Sequence, residues 1–125
     1  MNYDILINKA KDVSQNAYAP YSNFFVGACV LAGSGKTYVG CNVENASYGL
    51  AICAERNALA NAIANGEKSI SAIAIYSPNM EKCLPCGACR QVIFEFGKEI
   101  EIITQIKNEY KVHKISELLP EGFEL

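Results

Sequence analysis

Cys86 and Cys89 are separated by Gly87 and Ala88, the gap that lets two thiolates at the start of a helix converge on one tetrahedral zinc. Cys53 can supply a third thiolate. Three protein ligands leave one coordination position open, and an open position is what separates catalytic zinc sites from closed structural ones. Glu55 lies two residues after Cys53. Its carboxylate is a poor fourth ligand for an already anionic tris-thiolate centre, but it is well placed to exchange protons with water at the open position. A closed alternative exists in the same residues: Cys53, Cys83, Cys86 and Cys89 as a four-thiolate structural zinc in a binding module, with Glu55 an ordinary surface acid.

Three thiolates bring three negative charges to a 2+ ion, so such a centre needs compensation. The positive ends of helices opening at the cysteines provide part of it. Arg56, three residues after Cys53, can fold back over the sulfur and provide more; the plain alternative for it is a surface salt bridge.

Around these residues the 125-residue chain is half hydrophobic, which suits one globular domain spanning residues 1–125. Eleven basic and thirteen acidic residues with a single histidine give a formal charge of −2 and no basic stripe for binding phosphates, so nucleic acid is not an expected partner. No apolar run approaches the roughly 18 residues of a membrane span, and the first residues lack a basic, apolar, small-residue leader pattern. The expectation is a soluble cytoplasmic protein. Six cysteines could instead make a disulfide framework, which the apolar content and missing leader pattern argue against. Cys29 and Cys41 lie in apolar, strand-like stretches and read as small buried hydrophobes.

The elements that must hold the cysteines follow from periodicity. Leu6, Ala10, Val13 and Ala17 recur at helical spacing from Tyr3 to Ala17, and Pro20 stops that helix. Phe24 to Leu31 reads as a buried strand. Ala32-Gly33-Ser34-Gly35 turns the chain, and Lys36 to Val43 returns antiparallel. The Ala-rich segment from Cys53 to Ala64 predicts a helix stopped by Asn65-Gly66. In a regular helix residues two apart point nearly opposite ways, so Cys53 and Glu55 can share one centre only if Cys53 stands at the terminus. A strand over Ser71–Tyr76, a helix over 87–97 opening at Cys86 and Cys89, strands at 100–106 and 110–113, and a helical turn at 116–119 complete the chain. Helices alternating with strands in this order predict a three-layer α/β/α sandwich on a mixed sheet. His113 reads as a strand histidine, not a ligand.

Three blocks in order, Pro20-Tyr21-Ser22-Asn23-Phe24-Phe25-Val26-Gly27-Ala28, Asn42-Val43-Glu44-Asn45-Ala46-Ser47-Tyr48-Gly49 and Cys53-Ala54-Glu55-Arg56-Asn57-Ala58, together with Pro85-Cys86-Gly87-Ala88-Cys89, resemble the zinc-dependent nucleoside and nucleobase deaminases. Within that group the chain is similar to the small homotetrameric cytidine deaminases. The resemblance implies a five-stranded sheet, one zinc per subunit, and hydrolysis of cytidine and deoxycytidine to uridine and deoxyuridine. By the same resemblance Cys53, Cys86 and Cys89 are the zinc ligands, Glu55 is the acid and base, and Arg56 tunes the centre's charge. It makes Asn42 and Glu44 ribose binders, where composition alone would read a solvated loop. It places Phe24 as an aromatic wall of the pocket, where a core residue is the plain alternative. It adds Ala54, Ala46, Tyr48 and Phe123 to the substrate contacts. Phe123 and the Ala46–Tyr48 loop come from neighbouring subunits in such tetramers; the alternative for Phe123 is packing on its own core. A related activity on a different base stays open, although Asn42 and Glu44 favour an unmodified ribose or deoxyribose.

Overall fold

The computed structural model describes residues 1–125. Its centre is a five-stranded sheet in the order β2-β1-β3-β4-β5, formed by β1 (Gly27–Ala32), β2 (Thr37–Cys41), β3 (Ile70–Tyr76), β4 (Glu101–Ile106) and β5 (Glu109–Lys114). The helices are α1 (Tyr3–Ser14), α2 (Ala54–Ala64), α3 (Gly87–Phe94) and the single turn α4 (Ile115–Leu118). β1 pairs antiparallel with both β2 and β3, and β4 antiparallel with β5. The one parallel pair, β3 with β4, needs a crossover, because parallel strands cannot be joined by a tight turn. That crossover carries Cys83, Cys86, Cys89 and α3.

Strand residues alternate between two cores, as the two-residue period of a strand requires. Ala28, Val30, Ile73, Ile75 and Ile102 join Ala54, Ala58, Leu59 and Ile93 on the side of α2 and α3. Cys29, Ala72, Ala74 and Ile103 meet Leu6, Ile7 and Ala10 of α1 on the other. Both faces are covered, so the central strands read as continuous apolar runs, and the sandwich has the three layers expected. On the α1 side small residues let the helix approach closely. A β-carbon built on Gly27 would stand 1.9 Å from the Ala10 carbonyl oxygen.

Boundaries differ from the sequence reading in physically simple ways. The first helix ends at Ser14, three residues early, and Ser14 Oγ donates to Lys11 O at 2.6 Å. The buried face is Leu6, Ile7, Ala10 and Ser14, rotated by about an eighth of a turn from the stripe that included Val13 and Ala17. Phe24 and Phe25 precede β1 rather than opening it, because their segment is bonded to side chains: Phe25 N donates to Asn79 Oδ1 and Ser77 Oγ donates to Phe25 O. The third helix ends at Phe94, not Gly97.

Candidate active site

Cys53 is the N-cap of α2 and Cys86 the N-cap of α3, and neither side chain makes a capping hydrogen bond to its own helix's main chain. Both sulfurs are therefore free to point outward at the positive ends of two helices. Cys89 lies in the first turn of α3 and is fully buried. The three sulfurs lie within 4.8 Å of one another, with Cys53 Sγ and Cys86 Sγ 3.8 Å apart. Zinc–sulfur bonds of about 2.3 Å at tetrahedral angles put sulfurs about 3.8 Å apart, so the donor set fits zinc in type and in spacing. Cys83 is not part of this group; it is buried in the apolar core between the sheet and α2 and α3. The closed four-thiolate alternative has no fourth sulfur to use.

The electrostatics follow from this packing. The Cys53 thiol is pulled down to about 5, first by its hydrogen bond with Cys89 and also by Arg56. Cys89 moves the other way, because the two share a proton and Cys53 holds the charge. Arg56 Nη2 donates to Ala51 O at 3.2 Å and lies 3.9 Å from Cys53 Sγ. No carboxylate pairs with Arg56; the ion pairs of the chain are Lys98 with Glu124 and Lys114 with Glu99. Its charge is thus directed at the thiolates. Glu55 is 5% exposed, and burial pushes its carboxyl up to about 7. A carboxyl so placed can hold or release a proton near neutrality.

Glu44 is engaged with the turn before Phe24. Its Oε1 accepts from Tyr21 N at 3.0 Å and Ser22 N at 3.2 Å, and its Oε2 accepts from Ser22 Oγ. Those bonds, that from the Ser22 hydroxyl first, hold it below the ordinary carboxylate value. Asn42 braces the same segment: Oδ1 accepts from Val26 N at 2.9 Å and Nδ2 donates to Phe24 O at 2.8 Å. A carboxylate offers about four lone-pair sites, and an amide two donors and two acceptor sites, so both residues keep capacity for a ligand hydroxyl. Glu44 lines a groove of about 390 Å³ with Tyr21, Ser22, Asn45, Tyr48 and Ala51. Phe24 is half-buried against the core that contains Ala54.

Of the remaining expected contacts, Tyr48, 76% exposed, opens the 3-10 turn Tyr48–Leu50 on the groove it shares with Glu44, and Ala46 lies on the exposed bend before it. Phe123, 66% exposed, lies in a separate depression with Phe94, Glu95, Glu124 and Leu125. It does not fold into the core. Sequence reasoning did not single out Ser22, Asn57, Arg90 or Gln91. Asn57 Nδ2 donates to Cys41 O at 2.8 Å, tying α2 to β2, and its place one residue after Arg56 was the available signal.

Comparison with known proteins decides the family. Residues 2–104 match the model described as the cytidine and deoxycytidylate deaminase zinc-binding region. The chain belongs to this family of zinc-dependent deaminases. It is 41% identical to a cytidine deaminase from Sporosarcina psychrophila, over 98% of this chain and 92% of that one. It is 40% identical to the cytidine deaminase of Halalkalibacterium halodurans, over 98% and 95%. Among solved structures, the cytidine deaminase of Burkholderia pseudomallei superposes with a TM-score of 0.92 at 46% identity, over 98% of this chain and 100% of that one. That of Mycobacterium tuberculosis does so with 0.90 at 36%, over 100% and 99%.

Proposed function

We propose that this chain, as one deaminase domain, hydrolyses cytidine and deoxycytidine to uridine and deoxyuridine with release of ammonia, as in pyrimidine salvage, at the cluster of Cys53, Cys86, Cys89 and Glu55. The observation that carries this is the convergence of three cysteine sulfurs, within 4.8 Å of one another, beside a buried carboxyl in a member of this family. One zinc per chain, held by Cys53, Cys86 and Cys89, supplies a Lewis acid that lowers the pKa of water.

Glu55 does the proton work. It takes a proton from the attacking water and gives it to the pyrimidine ring nitrogen, which makes the neighbouring carbon electrophilic. It then carries the second proton of that water to the leaving amine. Its burial keeps both protonation states accessible near neutral pH. Arg56 reduces the negative charge of the thiolates from 3.9 Å, without contact to substrate. Asn42 and Glu44 bind the sugar hydroxyls with their remaining hydrogen-bonding capacity. Phe24 walls the base, and Ala54, fully buried at the start of α2, backs the pocket beside Glu55.

The assembly is a homotetramer with shared sites. Support comes from exposed apolar groups a monomer leaves uncovered: Tyr48, Leu50 and Phe123. Phe123 covers the pyrimidine bound by a neighbour, and the Ala46–Tyr48 loop arrives from another. The compartment is the cytoplasm, since all six cysteines are free and a thiolate centre survives best where thiols stay reduced. No helix is long and apolar enough to cross a membrane.

The test is metal analysis and assay of one preparation, with sedimentation for its size. One zinc per chain, loss of cytidine and deoxycytidine absorbance and a tetramer are expected. Zinc-replete protein that leaves both nucleosides unchanged would overturn the activity, and a fully active monomer would overturn the shared site.

A further inference from the structure

Arg90 and Gln91 follow the buried Cys89 directly, and both use their side chains on main chain. Arg90 Nε donates to Pro85 O at 2.8 Å and Nη1 to Leu118 O at 2.9 Å. One guanidinium thus joins the loop that delivers Cys86 to the last residue of α4. Gln91 reaches further along. Its Nε2 donates to Phe123 O at 3.1 Å, and its Oε1 accepts from Phe123 N at 3.4 Å.

A single amide that satisfies both main-chain groups of one residue fixes the position and the orientation of that residue, as a paired strand does for its partner. The direction in which the Phe123 side chain leaves the main chain is then fixed as well. The other restraints on the segment are one ion pair and packing. The Lys98–Glu124 pair at 2.9 Å has both side chains more than half exposed, a setting in which ion pairs contribute little. Gly122 lies so close to Phe94 and Leu119 that a β-carbon would stand 2.9 Å from each. Packing there sets where the chain passes; Gln91 sets the direction of the Phe123 Cα–Cβ bond.

We propose that Gln91 is the positioning residue for Phe123, holding the ring at the angle from which it stacks on a planar base while touching neither substrate nor metal. This rests on the reading of Phe123 as the residue that covers the pyrimidine. A stacked ring contacts the base in the ground state and the transition state alike, so loss of its placement weakens binding uniformly: KM rises and kcat holds.

Gln91→Met keeps the length of the side chain and removes both hydrogen bonds. Its KM for cytidine should rise roughly tenfold, the scale of two lost neutral hydrogen bonds, with kcat within about twofold and zinc content unchanged. A double-mutant cycle separates positioning from general support. On a Phe123→Ala background, Gln91→Met should raise KM no further. The role of Gln91 is overturned, with the reading of Phe123 left standing, if deletion of residues 121–125 removes activity while Gln91→Met keeps the wild-type KM. KM effects that add in the double variant overturn it in the same way. A fully active deletion variant would overturn both.

Discussion

The main-chain nitrogen of Ala58 lies 2.3 Å from where a β-carbon on Gly40 would stand, and the Ala54 carbonyl oxygen lies 2.8 Å from it. The first turn of α2 is seated on β2 through the absence of a side chain at one position. Cys53 caps that turn, so Gly40 also sets how far the first thiolate stands from α3.

Gly40→Ala should therefore act on stability and on metal together. Backbone on the helix side cannot give way as a flexible side chain would, so the overpacking should cost about 1–3 kcal/mol or more. Weaker zinc retention should accompany the lower melting temperature in a chelator competition. A variant with wild-type stability and wild-type zinc affinity would contradict this seating.

Glu44 gives a pH dependence. Its folded-state pKa lies below the ordinary 4.5, so its hold on the Tyr21–Ser22 turn is fully present above that value. It is lost as pH falls through the folded pKa. An NMR titration of the Glu44 carboxyl should show a midpoint below 4.5, and Ser22→Ala should move it upward, since the Ser22 hydroxyl is the leading cause. A wild-type midpoint at or above 4.5 contradicts the assignment.

Arg56→Gln should depress turnover more than it weakens cytidine binding, because a more anionic tris-thiolate centre is a weaker Lewis acid. Steady-state kinetics separate the two. A raised KM at unchanged kcat would instead mean that Arg56 contributes uniform binding.

The zinc cluster was legible because its residue types carry their own chemistry: two cysteines with two residues between them, and, 33 positions before Cys86, a third that must begin a helix for Glu55 to share its centre. The three layers were legible too, since strands buried on both faces read as unbroken apolar runs between amphipathic helices. Phe24 was placed inside a strand, and its segment left the sheet, because Asn42, Ser77 and Asn79 capture main-chain groups of residues 24–26. Those captures join residues 16 to 54 positions apart, and no periodicity reports them. The Gln91 clamp spans 32 positions and was invisible for the same reason.

Cys83 tests the ligand set. It is 8% exposed and belongs to the apolar core, so Cys83→Ala should keep one zinc per chain and full turnover. The lost sulfur should cost about 1 kcal/mol of packing. Loss of stoichiometric zinc from this variant would shift the site toward Cys83.

Glu55→Gln addresses the central claim, that one buried carboxyl beside three metal-binding thiolates moves the protons of the reaction. The substitution preserves shape and removes only the capacity to exchange a proton. Cytidine turnover of the zinc-loaded variant should fall by about 10²–10⁴-fold or more, the range of a lost general acid–base group, while zinc stays at one per chain. A variant that retains zinc and more than about a tenth of wild-type turnover, well outside that range, would contradict the account.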